Sequence, residues 1–331
     1  MENHPRYRSF FWPILLVGVG VVWLLSNLGY IEPVSLGSIL RFWPVILIVM
    51  GIDILFSRRF PWVGAVVGLL AVAGVVALLI TAPRVGVSTG VQTRTEYFST
   101  PLESVQTVEY DIDTSSAPVE FSVLTSNDTD LISAKITHRG TMRFDVTGTT
   151  DKVVKMSEYT DDTNWLSWDF SFDSQRWEIA LAPDVPTDLI LNGGSGSLDL
   201  DLRGVELNSL RADFGSGSSD VFLPETDEAY IAEIESGSGS VNLELPSNAS
   251  LTLTIDSGSG STNISVPSDT AYRVEVMDDG SGSLSLSNDL MKSADSRSFA
   301  IGAWETEDYE RADNRILIQI LGQGSGSINV H

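Results

Sequence analysis

The sequence predicts a membrane-anchored, mainly β chain, with N-terminal transmembrane helices followed by a β-solenoid, or closely related β-roll, of 21–22-residue coils. Three observations carry that prediction. A Gly-Ser-Gly-Ser unit recurs on a fixed ruler, apolar and polar residues alternate on either side of it, and the first 84 residues hold long, nearly uncharged apolar runs.

The repeat unit begins at Gly194, Gly215, Gly237, Gly258, Gly280 and Gly324, at intervals of 21, 22, 21, 22 and 44 residues. A flexible linker keeps no such count, because an unstructured chain tolerates any length. A constant period of this size marks stacked repeats. After each turn the alternation is that of a half-buried strand, as in Leu198-Leu200-Leu202, Val241-Leu243-Leu245 and Thr262-Ile264-Val266. Before the turns it is the same, as in Tyr230-Ala232-Ile234, Leu251-Leu253-Ile255 and Tyr272-Val274-Val276, and Pro224, Pro246 and Pro267 mark a second turn per coil. Aligned turn on turn, Leu200, Val221, Leu243, Ile264, Leu286 and Val330 fall into one interior column, with "RILIQILGQGSGSINV" closing the stack. The glycines Gly194, Gly196, Gly215, Gly217, Gly237, Gly239, Gly258, Gly260, Gly280, Gly282, Gly324 and Gly326 read as structural corners, where positive φ suits the residue without a Cβ.

Three regions follow. Residues 1–84 form a membrane domain with three predicted transmembrane helices at about 11–30, 41–57 and 60–82. Phe11-Trp12-Pro13 recurs as Phe42-Trp43-Pro44, and Trp12, Trp43 and Trp62 stand where an interfacial aromatic belt is expected. Arg6 and Arg8 precede the first helix, and Arg58 and Arg59 lie between the second and third, which puts the N-terminus in the cytoplasm and everything after Ala82 outside. Residues 85–192 read as a degenerate β-repeat and capping region, and residues 193–331 as the regular Gly-Ser-turn β-solenoid. Within the capping region, "NWLSWDFSF" (164–172) concentrates aromatics. Trp165, Trp168 and Phe170 could line a ligand or partner groove, or cap the open end of the stack.

The formal net charge is −24, and all but three of the 44 acidic residues (Glu2, Glu32 and Asp53) follow residue 82. Nucleic-acid binding is excluded, since phosphates require a basic surface. Anionic headgroups repel such a domain, so it stands off its own membrane. No cysteine is present, and the histidines His4, His138 and His331 have no partners at metal-ligand spacing. No catalytic, cofactor or metal residues are expected. Glycine-rich phosphate cradles and nine-residue calcium rolls also fail to fit, the former because no Lys and no helix follow the turns. Asp199, Asp220, Asn242, Asn263, Ser285 and Asn329 form an outward polar ladder, which reads as a solvated face or as a surface for a cation or basic peptide.

The duplicated helices "FWPILLVGVGVVWLLSNLG" and "FWPVILIVMGIDILFS" resemble the membrane region shared by LiaI and LiaF proteins. The acidic repeats, with "VEYDIDTSSAPVEFSV" and "WEIALAPDVPTDLILNGGSGSLDLDL", resemble the bacterial toastrack domain, also labelled "putative adhesin". LiaF-like proteins often have four spanning helices, where three are counted here. The resemblance implies a non-enzymatic envelope protein, a LiaF-like modulator or sensor in cell-envelope stress signalling that acts by binding. It supplies no catalytic residues. The partner it implies is a sensor histidine kinase or other membrane protein; the apolar segments add the lipid bilayer, and further copies of the chain are a candidate partner. A surface adhesive or structural scaffold without a signalling role is the alternative.

Overall fold

The computed structural model describes residues 93–159, 175–278, 280–293 and 301–331, with scattered helical positions between Leu16 and Ala77. Apart from those positions, the three predicted spanning segments lie outside the described residues. Among the described residues, no helix is long and apolar enough to cross a membrane. Contacts divide the chain into two units, Met1–Thr93 with Asp162–Ser174, and Arg94–Asp161 with Gln175–His331.

The second unit is mainly β. Its strands are β1 (Arg94–Pro101), β2 (Thr107–Ser115), β3 (Val119–Val123), β4 (Asp130–His138), β5 (Thr141–Thr147), β6 (Asp151–Tyr159) and β7 (Arg176–Leu181). Then come β8 (Thr187–Gly193), β9 (Leu198–Asp201), β10 (Leu207–Phe214), β11 (Ser218–Phe222), β12 (Tyr230–Ser236), β13 (Ser240–Glu244), β14 (Leu251–Ser257) and β15 (Ser261–Ser265). The last are β16 (Tyr272–Val276), β17 (Ser283–Ser285), β18 (Met291–Lys292), β19 (Gly302–Glu305), β20 (Ile316–Gly322) and β21 (Ser327–Val330).

They build two large sheets. A ten-stranded sheet runs β1-β4-β7-β3-β9-β11-β13-β15-β21-β17, and an eleven-stranded sheet runs β18-β19-β16-β20-β14-β12-β10-β8-β2-β6-β5. Each regular coil gives one strand to each sheet, with the Gly-Ser corner between them, and successive coils pair in parallel. Alternate residues turn inward, so apolar side chains stack in columns. In the ten-stranded sheet, Phe121, Leu200, Val221, Leu243, Ile264 and Val330 are in register and buried. In the eleven-stranded sheet, Leu191, Ala212, Ile234, Ile255 and Ile320 do the same. Each such Leu, Ile or Val contributes about 1.5–3 kcal/mol of transfer free energy, which its own coil could not secure alone.

The order of coils departs from the sequence reading. β20 lies between β14 and β16, and β21 between β15 and β17, so the coil read as closing the stack is inserted one coil inward. The other end mirrors this, with β2 and β3 sitting between β6–β7 and β8–β9. Every coil carries the same alternation and period, so sequence spacing sets the register of a coil but not its neighbours. Antiparallel pairing is confined to the two ends of the stack, while β2, β3, β6 and β7 of the irregular stretch still pair in parallel. β4 pairs with β1 and β7, and β5 with β6, and the rings of Phe98 (β1) and Phe144 (β5) stand 5.2 Å apart where the two sheet edges meet. At the opposite end β19 runs antiparallel to both β16 and β18, with Leu290 and Trp304 packed on the core.

Candidate functional site

The corner glycines are placed by contact more than by dihedral angle. Among the twelve, only Gly280 and Gly324 have positive φ. For the others, the expectation of a left-handed backbone is corrected by the spacing of the coils. A Cβ on Gly217 would lie 1.7 Å from the Gly196 carbonyl oxygen, and one on Gly260 1.8 Å from that of Gly239. The corners nest so closely that each glycine is opposed by the carbonyl of the coil before it. Behind them runs a buried hydroxyl seam, in which the Oγ atoms of Ser236 and Ser257 are 3.1 Å apart and Ser257 lies 3.1 Å from Thr262 Oγ1. The amide nitrogen of Gln323, also buried, has no hydrogen-bond partner among the described residues.

The outward face of the ten-stranded sheet carries the organised polar chemistry. One row crosses all ten strands in register, and its members change character along the stack. Tyr97 and Lys135 lead into Glu178 and Glu120, then Asp199 and Asp220, then Asn242, Asn263, Asn329 and finally Ser285.

Strand pairing dictates the chemistry of the row, because in-register parallel neighbours place like positions side by side, about 4.8 Å apart. At the amide end each side chain donates to the one before it. Asn329 Nδ2 donates to Asn263 Oδ1 (2.9 Å), Asn263 Nδ2 to Asn242 Oδ1 (2.9 Å), and Asn242 Nδ2 to Asp220 Oδ1 (2.7 Å). The chain of amides ends on a carboxylate, so its last bond is charge-assisted.

At the acidic end, cations neutralise what they reach. Lys135 Nζ meets Glu178 Oε2 at 2.9 Å, Arg176 bridges Glu120 and Glu178, and Arg203 grips both Asp201 oxygens at 2.9 and 2.8 Å. The Arg203 hydrogen bond holds the Asp201 carboxyl below its usual range. Asp199, between Glu120 and Asp220, has no such partner among the described residues. Desolvation, with the charges of Glu120, Asp220 and Asp201 behind it, pushes its carboxyl up.

Arg203 also stacks over the Phe222 ring at 4.5 Å, at the rim of a groove of about 360 Å³ lined by Phe222, Glu225, Glu244, Pro246 and Pro267.

The ladder read from the sequence thus lies on one face in one row, and its hydrogen bonding is what sequence reasoning missed. Trp165, Trp168 and Phe170 lie outside the described residues. His138 is buried, with Nδ1 2.9 Å from the Gly140 carbonyl and Nε2 3.4 Å from Glu96. His331 Nε2 lies 3.2 Å from Ser265 Oγ. Among the described residues, no three His, Cys, Asp or Glu side chains converge as a metal site.

Two family models match parts of the chain, and strands β14 to β21 lie beyond both. Residues 88–244 match the N-terminal domain of toast_rack, DUF2154. Residues 10–55 match the LiaI-LiaF-like transmembrane region. The matches fall where the resemblance placed them, on the duplicated Trp-Pro helices and on the acidic repeats as far as Glu244, and the match on the helices points to membrane anchoring of the N-terminal segment. No curated protein matches it by sequence. Among solved structures, a "putative cell adhesion protein" from Clostridium sporogenes is similar at 16% identity and a TM-score of 0.49, over 72% of this chain and 99% of that one. A "putative lipid binding protein" from Parabacteroides distasonis is similar at 14% identity and a TM-score of 0.31, over 72% and 96%. A "putative adhesin" from Bacteroides fragilis is similar at 8% identity and a TM-score of 0.26, over 73% and 99%.

Proposed function

We propose that this chain is a multi-pass envelope protein whose N-terminus lies in the cytoplasm and whose toast-rack domain stands outside. There it modulates an envelope-stress sensor kinase by binding, and it turns over no substrate. The observation that carries this reading is the union, in one chain, of a LiaI-LiaF-like transmembrane region with a toast-rack domain. The acidic surface concentrates cations, so cationic antimicrobial peptides are the proposed stimulus. That attraction is non-specific and is screened over about 8 Å at 0.15 M salt. The switch itself needs a contact that differs between two states of a partner, and Trp165, Trp168 and Phe170 are the proposed contact.

The test is genetic. Removing residues 85–331 should change basal or peptide-induced transcription of a neighbouring stress regulon as fully as deleting the whole gene does. Unchanged transcription in both strains, together with weaker attachment to surfaces, would refute the regulator reading in favour of an adhesive scaffold.

A further inference from the structure

The coil formed by β20 and β21 stands out from the others in how it is held. Its flanking coils, β14–β15 and β16–β17, are consecutive in the sequence, yet they do not touch as neighbours because this later coil fills the slot between them. Its backbone bonds run outward to both sides. Ser325 and Ser327 N–H groups donate to the carbonyls of Gly258 and Gly260 at 3.1 and 3.0 Å. On the other side, its Gly324 and Gly326 carbonyls accept from Ser281 and Ser283 at 2.8 and 3.0 Å.

We propose that this coil is exchangeable. It seats either in its own stack or in the same slot of a second copy of the chain, and so links neighbouring copies at the membrane.

Three features support exchange. The first is that the slot recognises a repeated pattern rather than a unique surface. Leu253, Ile318 and Val274 are in register across it, as are Asn263, Asn329 and Ser285. Identical contacts form whichever chain supplies the coil, so the exchanged and unexchanged states differ in tether and association terms and little else. The second is the tether. Between β19 and β20 lie Thr306–Arg315, exposed for the most part except for Tyr309, whose ring lies 5.6 Å from the Arg315 guanidinium. About ten residues, extended, reach on the order of 35 Å, enough to cross to an adjacent stack.

The third is that the slot demands an occupant. Leu253, Ile255, Ile264, Val274 and Val276 are all buried against the inserted coil or beside it, and an empty slot would expose them. Anchoring in one membrane raises the effective concentration of a neighbour's coil. The acidic charge of the domains opposes their approach, and salt relaxes that opposition.

The absence of native cysteine permits a direct test on the full-length chain in membranes. Asn263 and Asn329 are side by side, with Asn329 Nδ2 2.9 Å from Asn263 Oδ1. Neighbouring strands are about 4.8 Å apart, within the roughly 4.4–6.8 Å that a disulfide spans between Cα atoms. Two differently tagged chains, one carrying Asn263→Cys and the other Asn329→Cys, are co-expressed and mildly oxidised. The expected result is a disulfide-linked dimer bearing both tags, at least several-fold above the control and increasing with salt during assembly. The control pairs Asp220→Cys on one chain with Asn242→Cys on another. These positions are equally adjacent but lie on coils that stay in their own chain. A mixed dimer no more abundant than the control overturns the proposal. So does failure of the double variant Asn263→Cys/Asn329→Cys to close within one chain, because the slot geometry itself would then be wrong.

Discussion

Replacing Gly239 by alanine should be among the most damaging single-methyl additions in the stack. The new Cβ would sit 1.9 Å from the Gly217 carbonyl oxygen, whereas ordinary contact begins at 3.4 Å. The two corners would therefore have to part by about 1.5 Å, the difference between those values. Such a displacement breaks the Ser240 N–H to Gly217 bond (3.2 Å) and strains the Ser238 N–H to Gly215 bond (3.1 Å) beside it. At about 1 kcal/mol for each lost bond, more where a buried donor stays unpaired, the cost is roughly 2–4 kcal/mol. Alanine recovers about 0.4–1 kcal/mol by stiffening the unfolded chain, which leaves a net loss of about 1–3.5 kcal/mol.

Gly204 provides the contrast. It has a φ of +99°, and its nearest atom, Val123 Cγ1, lies 3.8 Å from the added methyl, so Gly204→Ala incurs only the backbone penalty of about 1–2 kcal/mol. Urea denaturation of the detergent-solubilised chain, followed by far-UV circular dichroism, measures both. If Gly239→Ala is no worse than Gly204→Ala, the corner glycines are not selected by coil-to-coil contact and the reasoning fails.

Asp199→Asn should stabilise the domain by about 0.5 kcal/mol at pH 7, since it removes like charge opposite Glu120 and Asp220 and extends the amide row. The folded carboxyl titrates above its unfolded value, so the wild-type chain loses this stability as pH rises through that interval, and the gain from Asn should vanish below about pH 4. Urea midpoints at the two pH values test the sign, and an equal gap at both would refute it. For topology, a cysteine replacing the exposed Ser195 should react with an impermeant maleimide on intact cells, and one replacing Arg58 should not. The reverse labelling would place the β domain inside.

The sequence shows the columns clearly because a period of two is visible in single residues. Leu200, Val221, Leu243 and Ile264 are neighbours in the fold for the reason that they are apolar at one offset from each Gly-Ser unit. Val330 follows Ile264 directly, ahead of Leu286, and no local signal could have said so. Register is a property of one strand and its turn, whereas adjacency is chosen among coils that all satisfy the same register. The polar ladder was legible as a row for the same reason. Its one-way chain of amide bonds depends on Asp220 at one end, and is decided by charge between strands rather than by spacing within one.

That degeneracy bears on how the stack is held at its ends. In a plain solenoid each repeat touches only its sequence neighbours, and the outermost repeat frays as a free end. Here the outer coil of β16 and β17 is bounded in the chain by β15 on one side and by β20 on the other, both seated further in. Releasing it opens a closed loop between about residues 266 and 315 instead of a free tail. The entropy gained by a closed loop is smaller, because its ends stay pinned. The opposite end is built the same way, since β4 to β7 form an excursion between β3 and β8, which lie further in. Interleaving at both ends therefore resists fraying without disulfides, at the cost of long-range pairings such as β15 with β21 that slow folding.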